Sequence, residues 1–406
     1  MILSRYDLYK SSEIDGITII PNGWDVRRIK DQGEYQSGNF ISALDFEEEN
    51  EYPVYGGNGL RGYSKNYNHN GPYILIGRQG ALCGNINYAS GKFWATEHAV
   101  VVYAKQTVNI KWFGELLKAL NLNQYSLSAA QPGLSVDKIK RLLIPVPSFS
   151  EQTAIASYLD AKTSAIDRKI SLLEQKIINY QQLRKSLINE TVCRGLDKKV
   201  RLKDSGIEWI GMIPEHWEVK RFKSFALTIK GKNLDFSDFY FEKSLPNLSL
   251  EYLRNDEVTF PTYCYSSSKS LLVTEDDYII VWDGAGVGEI LNGKKGYLSS
   301  TIAKIVVNPR LVNPKYFFHL KDRVEYTLKQ IPAGMGIPHL NPFVLNNLPC
   351  PYPPLAEQNA IATFLDEKVQ KIDLIITNIT TQIANLKELR KTLINDVVTG
   401  KLKVIE

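Results

Sequence analysis

The sequence predicts an α+β chain made of two mixed domains and two long helices. Three observations carry this. A block near residue 151 recurs near residue 357. Each copy has the apolar spacing of one long helix. The stretches between the copies have the alternation and glycine punctuation of short strands. At 406 residues the chain is too long for one ordinary core, so two or more domains are expected.

The repeat runs from Glu151-Gln-Thr-Ala-Ile-Ala-Ser-Tyr-Leu-Asp160 to Glu357-Gln-Asn-Ala-Ile-Ala-Thr-Phe-Leu-Asp366, 206 residues later. Held without a gap from 151 to 193, it is identical at 20 of 43 positions. A second repeated block opens each half: Ile20-Pro21-Asn-Gly-Trp24 matches Ile213-Pro214-Glu-His-Trp217 at an offset of 193. The two offsets differ, so the intervening segments differ in length as well as in sequence.

In the first repeat the apolar residues fall at Ile155, Leu159, Ile166, Ile170, Leu173, Ile177, Tyr180, Leu183 and Leu187. The second has Ile361, Leu365, Ile372, Ile376, Ile379, Ile383, Leu386, Leu389 and Leu393. Steps of three and four, with one step of seven, place each set on one helical stripe. Ser148 or Ser150 is positioned to cap the first start, and Gly195 and Gly400 lie just past the ends. A helix of about 40 residues, roughly 60 Å at 1.5 Å per residue, needs a partner of similar length. The other copy is the simplest one, giving a coiled coil; two separate helices in two ordinary cores also fit the stripes.

The other segments read as strands and turns. Tyr52–Tyr63, Tyr73–Gly84 and His98–Tyr103 in the first half, and Tyr278–Gly288 and Thr301–Val307 in the second, are β-branched or aromatic runs broken by Gly and Asn. Helical spacing returns at Trp112–Leu122 and Tyr316–Leu328.

Composition excludes several classes. Cys83, Cys193, Cys264 and Cys350 are scattered and form no CxxC pair, so isolated thiols are expected rather than a zinc or redox site. The five histidines show no ligand spacing. There is no Walker A lysine motif. Gly284-Ala-Gly286-Val-Gly288 breaks the dinucleotide spacing, and Asn341-Pro342-Phe343 is only a fragment of an adenine-methyltransferase motif. No cofactor is expected, and no catalysis by this chain. The start lacks a signal-peptide pattern and no apolar run is long enough for a membrane helix, so a cytoplasmic protein with no membrane partner is expected. A net charge of +5 permits an acidic partner without requiring one.

The order of variable segment, proline-rich lead, Glu-Gln-x-x-Ile-Ala and long helix, given twice, resembles the specificity subunits of type I restriction-modification enzymes. The resemblance is most specific in Ile213-Pro-Glu-His-Trp217, Pro147-Ser-Phe-Ser-Glu-Gln152 and Pro354-Leu-Ala-Glu-Gln358. Gly77-Arg-Gln-Gly80 with Phe93-Trp-Ala-Thr-Glu-His98, and Val281-Trp-Asp-Gly284 with Leu298-Ser-Ser-Thr301, are similar to target recognition domains. The first half departs from the pattern at Asn22-Gly23, where the second has Glu215-His216.

The resemblance implies target recognition domains at 1–146 and 201–353, joined by helical spacers at 147–200 and 354–406 that form an antiparallel coiled coil. Each domain would read one half of a bipartite, asymmetric target in double-stranded DNA. Two methyltransferase subunits and two restriction/translocase subunits would assemble around the chain. The competing classes are a complete restriction or methyltransferase enzyme, disfavoured by the missing motifs, and a coiled-coil scaffold with two recognition domains that do not bind DNA.

Candidate DNA contacts follow from residue type. Asn58, Arg61, Tyr63 and Lys65 lie on a glycine-rich loop, and Arg78 and Gln79 between two glycines; Asn and Gln pair with adenine, and Arg with guanine, in the major groove. Gln131, in Ala130-Gln-Pro-Gly133, and Met335 and His339, in Ala333–His339, occupy equivalent loops before the helices. Tyr263, Tyr265, Ser266, Ser267, Ser268 and Lys269 combine aromatic, hydroxyl and basic groups of the kind that contact phosphates and bases. A plain turn, linker or surface loop also accounts for each of these.

Overall fold

The computed structural model describes residues 2–42, 45, 47–80, 82–126, 133–255, 261–330 and 338–405. The chain divides into two compact units, Met1–Gln175 with Ile379–Glu406, and Lys176–Asn378. The fold is α+β, and the two long helices are Phe149–Arg194 and Leu355–Val398, of 46 and 44 residues. Among the described residues no helix is long and apolar enough to cross a membrane.

Each unit contains an antiparallel four-stranded sheet of the same order. In the first the order is Ile86–Ala89, Tyr73–Gly77, Ala99–Ala104, Gly33–Ser37. In the second it is Ile290–Asn292, Tyr278–Val281, Ile302–Val307, Ala226–Lys230. The central strands, Ile74–Gly77, Ala99–Val102 and Ile279–Val281, are buried; continuous apolar runs are what two covered faces require. Each unit also has a second sheet built on one short parallel pair, Val54 with Trp94 in the first and Asn247 with Tyr297 in the second. The helices at Ile110–Ala119 and Pro314–His319 begin at equivalent caps. Asn109 accepts from the backbone N–H of Lys111 and Trp112, and Asn313 from those of Lys315 and Tyr316.

The long helices run antiparallel. In the first unit Asp167 pairs with Arg390 (2.9 Å) and Glu174 with Lys387 (3.9 Å), so numbering rises on one helix as it falls on the other. In the second unit Asp373 pairs with Arg184 at 3.1 Å. The seam differs from the sequence stripe at two equivalent positions. Leu183 and Leu389 are 52% and 54% exposed, and Arg184 and Arg390 lie on the seam instead. The reason is phase. From Tyr180 and Leu386 a step of four reaches the arginines, and the next step of three reaches Leu187 and Leu393. The step of seven in each stripe is filled by half-buried Thr163 and Val369. Ser148 is the cap of the first long helix, its Oγ accepting from Glu151 N. Gly195 and Gly400 end the helices in the left-handed region, at φ 74° and 80°.

Candidate nucleic-acid interface

The repeated motifs turn out to bind helix to domain. Trp24 is buried, and its indole N–H donates to Glu151 at 3.1 Å. Trp217 does the same to Glu357 at 3.0 Å. The second oxygen of Glu357 meets His216 Nε2 at 2.6 Å. In the first unit Gly23 stands at that position, and the Tyr6 hydroxyl supplies the missing donor to Glu151. Burial and the Glu151 carboxylate push that phenol well above its ordinary value. The departure at Asn22-Gly23 is thus compensated from elsewhere in the chain. The same tryptophans lie against the helix-ending glycines: a Cβ on Gly195 would be 3.1 Å from the Trp217 ring, and one on Gly400 3.1 Å from Trp24.

Gln152 and Gln358 complete these joints. Both are buried. Gln152 accepts from Asn109 N (2.9 Å) and donates to Pro147 O (3.1 Å). Gln358 accepts from Asn313 N (2.8 Å) and donates to Pro353 O (2.8 Å) and Leu311 O (3.2 Å). The proline-rich lead cannot satisfy these backbone groups itself, and a buried amide with both donor and acceptor can.

The candidate contact residues fall in several places. In the first unit Asn58 is in the turn between strands Tyr52–Gly56 and Gly59–Ser64, and its Oδ1 accepts from Asn85 at 3.0 Å. That turn lies on the backbone either side of Arg78: a Cβ on Gly57 would be 3.0 Å from Gln79 O, and one on Gly77 would be 2.0 Å from Gly57 O. Asn58, Arg78 and Gln79 are therefore neighbours. Arg61 runs along Gly56, where a Cβ would meet its Cδ at 2.4 Å. Tyr63 exchanges both backbone hydrogen bonds with Glu47. Lys65 lines a cavity of about 420 Å³ with Asp45, Glu47 and Trp94, among acidic neighbours. Gln131 and Met335 lie outside the described residues.

In the second unit Tyr263 is in a strand of the second sheet, its ring edge-on to Tyr240 at 5.7 Å. Tyr265 is half-exposed and edge-on to Tyr297. Ser266 accepts from Ser268 N, Ser267 is exposed, and Lys269 opens the short 3-10 turn Lys269–Leu271. His339 belongs to a different place, beside the four-stranded sheet. Its Nδ1 meets Asp283 at 2.6 Å, and Lys230 Nζ meets the other oxygen of Asp283 at 3.0 Å. Burial pushes the Asp283 carboxyl up, but hydrogen bonds from His339 and Lys230 outweigh it and hold it below its usual value.

Two equivalences emerge that separate inspection of the halves misses. Tyr63 pairs with Pro53 and Tyr263 with Pro246, and 246 follows 53 by the same 193 residues as the entry-block repeat. Tyr63 and Tyr263 thus hold one position in two sheets. Ser37 and Lys230 are also related by 193, and each is the last residue of its strand. Asp283 lies in Val281-Trp-Asp-Gly284, which is similar to a target recognition domain, but no contact role attaches to it in the sequence; Ser37 and Lys230 do not stand out by themselves, and the repeat offset is the signal that links those two.

The family described as "Type I restriction modification DNA specificity domain" matches residues 21–179 and 214–385. The chain is 50% identical over 129 residues to the type I restriction enzyme EcoprrI specificity subunit of Escherichia coli, covering 31% of this chain and 32% of that protein. It is 36% identical over 188 residues to the MjaVIII specificity subunit of Methanocaldococcus jannaschii, covering 46% and 43%. These matches span a third to under half of the relatives' own length. A solved structure concerned with complex assembly and conformational transition of the type I R-M system shares the fold at a TM-score of 0.73 and 17% identity, covering 94% of this chain and 99% of that one. Two family matches, each taking in one four-stranded sheet and most of one long helix, account for nearly all the repeated architecture, and the chain belongs to the type I restriction-modification DNA specificity family.

Proposed function

We propose that the chain is the DNA-sequence specificity subunit of a type I restriction-modification enzyme. Residues 1–146 and 201–353 each read one half of a bipartite, asymmetric target. The helical segments 147–200 and 354–406 set the distance between the half-sites. Two methyltransferase and two restriction/translocase subunits assemble on the chain in the cytoplasm, and the chain itself catalyses nothing and holds no cofactor. The observation that carries this reading is the duplicated frame. The two sheets have one strand order, and the solvent-facing side chains at matching strand ends differ. Two readers of two different sequences need that combination: phosphate contacts and scaffold position a domain, while base contacts specify.

The test is to map methylated adenines in DNA modified by the chain together with the methyltransferase subunits of its own system. A two-part motif with a fixed gap is expected. Methyl transfer by the purified chain alone, or a single unsplit motif, would overturn the reading.

A further inference from the structure

The two units carry one frame with different side chains on it, and the frame is detailed. In each, the first sheet strand ends at a polar residue, Ser37 or Lys230. A glycine follows, packed onto a backbone carbonyl: a Cβ on Gly38 would lie 2.1 Å from Ala95 O, and one on Gly231 2.0 Å from Ser299 O. In each, the residues just past the central strand two places away in the sheet, Tyr73–Gly77 or Tyr278–Val281, make one antiparallel bridge to the segment leading into the long-helix joint, Gln79 with Gly133 and Asp283 with His339. The frame therefore superimposes Ser37 on Lys230, Arg78 on Trp282, Gln79 on Asp283 and Gly133 on His339.

The chemistry on that frame is unlike. In the first unit Arg78 Nη1 donates to Ser37 Oγ at 3.2 Å, and Arg78 and Gln79 are exposed at the rim of an open cavity of about 630 Å³ that Lys140 also lines. In the second unit the polar reach comes from the other strand. Lys230, with its side chain 43% exposed, lies beside the Trp282 ring and is tied to Asp283, itself bonded to His339. An ammonium has three N–H groups; the bond to Asp283 uses one and fixes the direction of the others.

Building on the function proposed above, we propose that Lys230, positioned by Asp283 and His339, is a base-reading donor of the second domain, that Arg78 and Gln79 hold the matching place in the first, and that exchange of side chains on this shared frame makes the two half-sites differ. The ligand of Lys230 is a guanine edge, since Lys and Arg donate to its O6 and N7 acceptors. Arg78 fits guanine in the same way, and Gln79 fits adenine. Asp283 is a positioning residue; it orients the donor and does not touch the base.

The experiment uses the full chain assembled with its own methyltransferase subunits and a library of duplexes randomised across both half-sites, read by sequencing the methylated fraction. Lys230→Ala should cost roughly ten-fold in preference at one guanine position of the second half-site, leaving the first half-site unchanged. Asp283→Asn should relax the same position. Lys230→Arg, which keeps both the donor and the bond to Asp283, should retain it. Arg78→Ala should relax one position of the first half-site only. An equal loss across all sequences with a shallower salt dependence would make Lys230 a phosphate contact and overturn the proposal. So would a changed first half-site in the Lys230→Ala complex, or unchanged preferences in both Lys230→Ala and Arg78→Ala. A wild-type complex that showed no two-part motif would instead overturn the function on which this rests.

Discussion

Single residues in this chain are most informative where they are buried and polar. Gln152 and Gln358 each satisfy backbone groups on both sides of a joint. Replacing Gln358 with Leu strands the buried C=O of Pro353, worth about 1–3 kcal/mol, and the part-buried N–H of Asn313, worth the lower end of that range. Gln358→Leu should therefore lower unfolding free energy by roughly 2–4 kcal/mol in a denaturant titration; a change under about 0.5 kcal/mol, the size of an ordinary surface substitution, would show that the joint is not maintained in solution. His319 gives a pH signature. Burial holds its pKa below the ordinary 6.5, against the pull of Asp366 and with the help of Arg184 and Lys315. A lowered histidine pKa means the unfolded chain takes up the proton first, so stability is lost as pH falls from above 6.5 toward the folded value. On going from about pH 7.5 to about pH 5.5, wild type should lose more melting temperature than His319→Gln. Equal losses would contradict this assignment.

The long helices are where periodicity and packing part company by one residue. Leu183 and Leu389 sit where an apolar stripe is expected, yet they point to solvent while Arg184 and Arg390 occupy the seam. Each arginine is tied to an aspartate on the opposing helix, and the two bridges are related by the repeat. Half-exposed pairs of this kind contribute about 0.2–1 kcal/mol. A double-mutant cycle on Arg390 and Asp167 should return a coupling in that range. The sharper contrast is between leucines. Leu365→Ala, at a fully buried position, should cost about 2–5 kcal/mol. Leu389→Lys should change the stability of the isolated chain by no more than about 0.5 kcal/mol. If the second cost as much as the first, the phase of the seam would be wrong.

At the scale of the whole molecule, exchanging residues of roughly 20–145 for the first domain of another family member should change one half-site and leave the other intact. A change in both would end the modular reading. The spacer role is tested by inserting seven residues after Ile177 and seven after Ile383, which keeps the apolar stripe in phase. Each helix grows by about 10.5 Å, which matches roughly three base pairs of duplex. The half-site sequences should persist while the gap between them lengthens. An active complex that still methylated the original gap would show that the helices do not set the distance.

Much of this molecule is local, and so was readable from sequence. The stripes depend on residues a few positions apart, which helical periodicity encodes directly; the proline leads, the terminal glycines and a serine cap at 148 or 150 are local signals at the helix ends, and the duplicated blocks show by self-similarity at a fixed offset. The strand runs are local too, which is why the α+β character was legible. What only the tertiary structure decided is what depends on partners far along the chain. The pairing of Trp24 with Glu151 spans 127 residues, and that of His339 with Asp283 spans 56. No spacing rule reaches that far, so Glu-Gln read as a family signature rather than as a joint. For the same reason nothing local in the sequence marks Lys230 as the partner of Asp283, or Tyr63 as the equivalent of Tyr263. Their equivalence exists only once strands distant in sequence have paired in register, because it is the sheet, not the chain, that brings them to the same place.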